Sequence, residues 1–545
     1  RTILYEENIA PRRIRLHQQV AKALEEVYPN RLQEHAAELA EHFSYSTEPA
    51  DLTKAVDYGE MAAQRATDVY EFGEAVRLIQ QALKVQEVLD PEDKAKRCDL
   101  LLKAGRALIS SGQGRKAVDT EITEAFSLAE EIGDDTRMAR ASNDAMRAIS
   151  AADTVTGLAK SEGVIWMERA DKYAQPETNE RGWADYFISI IQFARNPSFG
   201  IEYSLSRARA QALKDEDYEL FGASGLMSTS MLMPWSDKEL ALKTAEEIEV
   251  QAGKTQNGLH NLRILYLMYG KWKKAENLGK ELDERAARTG QVNQLVQVMG
   301  RNSTWAYLEG RLDDSRKILE DMAAYGREVG LEEVASHAIL FNGLRTALCL
   351  GVYKEQPENE IWMILLREMD KPIHRRIPTV QAHLGEIEKV NDTLEWILNR
   401  RPDITTTKDK GMFYLDILYL EAAVLTNHRK ATELLLKRFE NSQIIFNPSM
   451  VSCVDRHLGG ATALLERYDE ARDYYLKAIK ACSEVNFRPE LALSRLEFAE
   501  LLLDRYPDEK ADAIEHLDFA IKEFREMKMQ PSLERALRRK DILKA

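Results

Sequence analysis

Apolar residues return along this chain at helical intervals, and many segments share a finer signature. A small residue early in a helix is followed by a bulky one four positions on and another small one at seven. Ala471, Tyr475 and Ala478 in RYDEARDYYLKAIKA carry it, opened by Tyr468, and Ala75, Ile79 and Ala82 in EFGEAVRLIQQALKV repeat it, opened by Phe72. Ala513, Leu517 and Ala520 form a third copy. A small side chain lets two helices of a hairpin approach, and the bulky ones fill the groove against the next hairpin. Gly270-Lys-Trp272, Gly310-Arg-Leu312 and Gly351-Val-Tyr353 supply the turns, where glycine takes the left-handed conformation that ends a helix.

The small positions recur at 275 and 315, and again at 431, 471 and 513, a period of about 40 residues against the usual tetratricopeptide period of about 34. The pattern predicts an all-α, right-handed superhelical solenoid of tetratricopeptide-like hairpins with lengthened helices, more than about two-thirds helical. No stretch combines strict alternation with an Asn-Gly or Asp-Gly turn, so strands are not expected. Residues 1–45 read as a junction and first hairpin, and 46–545 as the solenoid. The register is weak over 145–235, and over 371–403, where Pro372, Pro378 and Pro402 interrupt. These stretches are hinges or divergent repeats, and divergence is the better reading.

Composition suits long helices bearing surface ion pairs: 30% of residues are charged, with only 27 Gly and 15 Pro in 545. The net charge of -15 repels polyphosphate, which argues against direct nucleic-acid binding. Basic stretches at Arg12, Arg13 and Arg15, at Arg375 and Arg376, and at Arg535, Arg538, Arg539 and Lys540 read as solvated helix faces. Cys98, Cys349, Cys453 and Cys482 are too scattered for a zinc knuckle or disulfide framework, which fits a reducing, cytoplasmic setting. No apolar run is long enough for a membrane span, and the richest carry Asn342 and Arg345, or Asp416 and Glu421.

Catalytic chemistry is not evident. The nearest approach to a phosphate-binding loop, Gly112-Gln-Gly114-Arg115-Lys116, lacks the Ser/Thr that holds magnesium and sits where a helix turn is expected. His35 and His42 with Glu38 between them lie two helical turns apart, too far to share one zinc ion easily. Glu246 with Glu247, and Asp313 with Asp314, read as exposed acids. No catalytic, metal or cofactor site is assigned. In a helical-repeat array the first helix of each hairpin lines the concave face. Transferring the register places His260, Thr304, Tyr307, Phe341, Arg345, Arg375, Thr379, His383, Phe413, Asp416 and Arg456 there as a candidate binding groove. Arginines beside aromatic rings suit a sugar, a nucleotide or a peptide carboxylate. Trp183, Tyr186 and Phe187 read as core.

The opening residues carry a family likeness: Leu4, Tyr5 and Glu6, then Arg15, Leu16 and His17, then His35, Ala36, Leu39, Ala40, His42 and Phe43. About the first 85 residues resemble the junction at which signal-transduction ATPases with numerous domains pass from a winged helix into a tetratricopeptide region. That group includes regulators related to the maltose-regulon activator and ATPases linked to class III nucleotide cyclases. The resemblance implies that the chain is a fragment: the non-enzymatic sensing arm of a larger signalling or transcription-regulating ATPase. It also implies a nucleotide-binding domain upstream in cis, and a protein or peptide partner or a small-molecule inducer as the bound species. A plain scaffold for protein assembly is the alternative.

Overall fold

The computed structural model describes residues 10–195, 202–226, 238–253, 255–354, 359–371, 378–406, 409, 411, 413–439, 442–447 and 451–543. The described residues are 83% helical. The strands among the described residues are two dipeptides, Phe446–Asn447 and Ser452–Cys453, paired antiparallel with Phe446 opposite Cys453. The rest is a succession of antiparallel hairpins of the tetratricopeptide kind. Pro49–Asp68 with Phe72–Leu89 and Val454–Leu464 with Tyr468–Glu484 show the form well.

The small residues sit where the repeat signature requires close approach. Ala75, Ala275, Ser315, Ala431, Ala471 and Ala513 are all buried. A Cβ on Gly59 would stand 3.1 Å from that of Ala82, so these two helices pack with almost nothing between them. Gly270, Gly310 and Gly351 have φ of 68°, 77° and 75°, the left-handed turn read from the sequence. At Ser315 a hydroxyl takes the place of a methyl and bridges Ser303 (2.9 Å) and Thr346 (2.8 Å), tying three helices together. On the surface, ion pairs climb one repeat at a time: Arg137 reaches Asp99, 38 residues back, and Arg140 reaches Glu180, 40 residues on.

The chain forms two compact units, one of Arg1–Ile191 with Ala287–Asn293, the other of Gln192–Ala286 with Gln294–Ala545. In the first, Gly112 (φ 83°) turns the chain between Lys94–Ser110 and the next helix, as expected for that glycine string. A five-residue π-helical turn, Val118–Ile122, interrupts the following helix, and the Thr123 hydroxyl donates to the Val118 carbonyl beside it (2.6 Å). The helix Asp135–Leu158 is kinked at Thr154 (φ 60°), which shifts the helical phase where the sequence register blurs.

In the second unit the stack turns far enough for its end to meet earlier turns. Met527 and Arg488 pack on Gly310, Pro531 on Gly351, and Lys528 pairs with Asp313 at 2.5 Å. Tyr307, Leu312 and Cys349 thereby share one core with Phe446, Cys482, Phe487, Phe524 and Met529. The Ile445 amide donates to the Met268 carbonyl (2.8 Å), and Phe446 stands edge-on to Trp272. Each hairpin contributes a small rotation, and the rotations accumulate until the last hairpins pack against the turns of earlier ones.

Candidate functional site

Within the second unit, first helices from successive hairpins converge on a pocket of about 430 Å³. His383 and Glu421 stand 38 residues apart and Arg345 and Glu421 76, and Tyr307 precedes Arg345 by the same step. Side chains at one repeat-equivalent position are therefore gathered into one chamber. The Val454–Leu464 helix adds Arg456 and His457, the Arg488–Arg505 helix adds Glu490 and Glu497, and the Gln530–Ile542 helix adds Arg535.

The walls are built from buried ion pairs. Arg345 donates two bonds to Glu421 (2.7 and 2.6 Å), and His383 Nε2 lies 3.3 Å from the same carboxylate. Arg456 donates to Glu490 through Nε (2.8 Å) and Nη2 (3.0 Å), and to Glu497 through Nη1 (3.0 Å). Glu490 also accepts the Cys453 amide (2.9 Å), so it caps the start of the helix that carries Arg456. Burial raises the Glu421 and Glu490 carboxyls, but Arg345 and Arg456 outweigh it and hold both below the usual carboxylate range. No such excess protects Glu497, and burial pushes its carboxyl upward. His457 is buried beside Arg456, and its imidazole is lowered to about 3, so it is neutral.

Two phenols complete the chamber. Tyr307 lines the pocket with its ring 5.6 Å from that of Phe487, and its hydroxyl lies beside the Cys349 thiol with no oxygen or nitrogen partner. Tyr475 fits against Gly459, where a Cβ would stand 2.8 Å from the ring. Only glycine admits it. At the rim, the Arg505 guanidinium stacks 4.3 Å over the Tyr468 ring.

Of the eleven predicted groove residues, Tyr307, Arg345, His383 and Arg456 line this pocket. Arg375 lies outside the described residues. The others are placed elsewhere. Thr304 bonds Asn342 Oδ1 (2.8 Å), Phe341 packs on His337, and Thr379 is buried with its hydroxyl 3.4 Å from the Leu418 carbonyl. Phe413 is core. Asp416, with Asp409, anchors Arg401 and Arg438 in a separate buried cluster, where Arg438 also donates to the Gly411 carbonyl (2.5 Å). His260 is lowered to about 3 by burial and by the nearby Arg263 and Arg301. The register transfer missed Glu421, His457, Tyr475, Glu490 and Glu497. Glu421 had a legible signal, an acid inside the apolar Phe413–Leu425 helix. Glu490 had none, since an acid in the first turn of a helix is ordinary.

Elsewhere, the histidines of the opening phrase make separate contacts, and His35 and His42 are not brought together. His42 contacts His17, with their Nδ1 atoms 2.7 Å apart, while His35 stacks on Tyr28. Leu4, Tyr5 and Glu6 lie outside the described residues. Among the described residues no three His, Cys, Asp or Glu side chains are grouped to hold a metal ion, and no helix is long and apolar enough to cross a membrane. All four cysteines are free and buried. Trp183 and Phe187 are buried, and the Arg147 guanidinium covers Trp183 at 3.7 Å. In the last helix Arg535, Arg539 and Lys540 pair with Glu500, Asp504 and Asp518.

No protein-family model matches the chain, and no curated protein matches it. Among solved structures it is similar to the APC/C hetero-tetramer Cut9-Hcn1, with 13% identity, 96% of each chain covered and a TM-score of 0.43. It is similar also to yeast Tom70, with 14% identity over 97% of each chain and a TM-score of 0.26. A circular tandem repeat protein with novel repeat topology aligns at 15% identity over 97% of this chain and 99% of its own, with a TM-score of 0.15. Likenesses at these identities and scores carry no inference about function, and the helical-repeat fold is read from the hairpins of this chain.

Proposed function

We propose that this chain is a non-catalytic helical-repeat binding module that receives a segment of a protein partner in the pocket of its second unit. The observation that carries this reading is the convergence of Tyr307, Arg345, His383 and Glu421 on one chamber. Helical-repeat folds bind through the faces their first helices share. The pocket is large enough for one or two side chains, and most of the charged groups in its walls are already paired. A prearranged polar surface of this kind loses little freedom when a ligand enters. Native mass spectrometry of the chain purified from its own cell extract tests the reading. A co-purifying polypeptide that is lost when Ala463, on the pocket wall, is replaced by Trp is the expected result. Retention unchanged by that substitution refutes the site.

A finer reading makes the module the sensing arm of a larger signalling ATPase with a nucleotide-binding domain upstream. It is supported by the resemblance of the opening residues and by the packing together of His17 and His42, two members of that phrase. Joined to such a domain, the chain is expected to change the rate of nucleotide hydrolysis when its pocket is filled. A rate indifferent to pocket occupancy counts against the sensing role.

A further inference from the structure

The bonding within the pocket is unbalanced in one direction. Arg345 is matched by Glu421 and Arg456 by Glu490, each through two hydrogen bonds. Arg535 is turned to Glu500. Glu497 shares only the remaining Nη1 of Arg456, through Oε1, and its side chain keeps 15% of its surface accessible. Glu497 is therefore the least neutralised of these carboxylates, bonded to Arg456 once and facing Arg535 without a hydrogen bond. Tyr475 lines the pocket beside it, and the Tyr307 hydroxyl, in a residue 2% exposed, has no oxygen or nitrogen partner and only the Cys349 thiol beside it. A buried hydroxyl left unbonded costs about 1–3 kcal/mol unless a ligand supplies its partner.

From this arrangement we infer that the pocket takes a cationic side chain, lysine or arginine, presented by a segment of a protein partner. The inference rests on the binding reading given above and adds the chemistry of what is bound. An anionic group would meet the Glu497 carboxylate, and an apolar one would give neither that carboxylate nor the Tyr307 hydroxyl an oxygen or nitrogen partner. An ammonium or guanidinium gives Glu497 its counter-charge and donates to the phenol oxygens, and tyrosine rings attract cations across their faces. The chain's net charge of -15 draws a basic segment toward it, so binding weakens as salt is added.

The test is fluorescence anisotropy on the full chain with labelled hexalysine, labelled hexaglutamate, and spermidine as a competitor. Hexalysine is expected to bind and hexaglutamate not to bind. Glu497→Gln should weaken hexalysine at least about tenfold, and Tyr307→Phe, which removes one oxygen and leaves the ring packed, about threefold. Glu320→Gln, an exposed acid away from the pocket, should leave binding unchanged. Hexalysine binding untouched by Glu497→Gln and Tyr307→Phe, or weakened equally by Glu320→Gln, overturns the inference. Spermidine binding tighter than hexalysine overturns the peptide as its source. If hexalysine fails while Ala463→Trp still releases a co-purifying partner, the cationic chemistry is refuted and the binding reading stands. If Ala463→Trp releases nothing, the binding reading is refuted as well.

Discussion

Arg345 and Glu421 face each other across two repeats with each side chain only 7% exposed. Removing one member strands the other in a medium that solvates it poorly. Glu421→Ala is expected to cost about 3–5 kcal/mol, while Arg345→Leu combined with Glu421→Met should recover most of it. Urea unfolding of the three chains measures this, and equal losses in the single and double variants would refute the coupling. Two imidazoles with lowered pKa set a pH dependence of known sign. His260 and His457 are lowered to about 3 from an ordinary value near 6.5, with burial the main cause. Between those values the unfolded chain binds protons that the folded chain does not. Stability is complete above about pH 6.5 and falls as pH drops, by up to about 1.4 kcal/mol per pH unit for each imidazole. Asp455, raised by burial to about 6, acts in the opposite sense below that pH. Urea midpoints at pH 7.5 and 6.0 should differ in favour of the higher pH, and His457→Gln should shrink the difference.

At the level of elements, the glycine turns share one backbone conformation and differ in their surroundings. Gly330 and Gly351 have φ of 73° and 75°. A Cβ at Gly330 meets nothing within 4 Å, whereas one at Gly351 would stand 2.8 Å from Pro531, at the start of the last helix. Gly330→Ala should therefore cost only the left-handed penalty, about 1 kcal/mol, and Gly351→Ala about 1–3 kcal/mol more, because proline in a helix's first turn has little room to yield. Thermal unfolding distinguishes the two, and equal losses would mean that the last helix does not bear on that turn. The turn at Gly351 was legible in the sequence because only glycine takes the conformation at little cost. Its neighbour was not, since Gly351 and Pro531 lie far apart in the chain.

Across the second unit, the last hairpin stabilises turns more than 200 residues earlier, as the Lys528–Asp313 pair, 215 residues apart, illustrates. Deleting residues 527–545 is expected to speed amide exchange at 307–312 and 348–352 while leaving the helices of the first unit unchanged. Exchange that rises nowhere, or rises equally in both units, would contradict the packing of Met527 and Pro531 on those turns. The deletion also removes Arg535 from the pocket, so the pocket's integrity and the closure of the stack are one property.

The sequence by itself determined the helices, the turns and the approximate period, because these follow from short-range patterning: small residues where helices touch, bulky ones where hairpins stack, glycine where φ is positive. The general rule that the first helix of each hairpin lines the concave face led the register to Tyr307, Arg345, His383 and Arg456, and these four line one pocket. Asp416 and Glu421 share one helix and look alike in sequence, yet Asp416 turns to Arg401 and Arg438 and Glu421 to Arg345. Tyr475 reads as a packing residue and is one through its ring, while its hydroxyl borders the pocket. Only the tertiary structure decided these roles, because they depend on accumulated rotation between hairpins. The rotation per repeat, invisible in any local pattern, determines which side chains several repeats apart come within hydrogen-bonding distance.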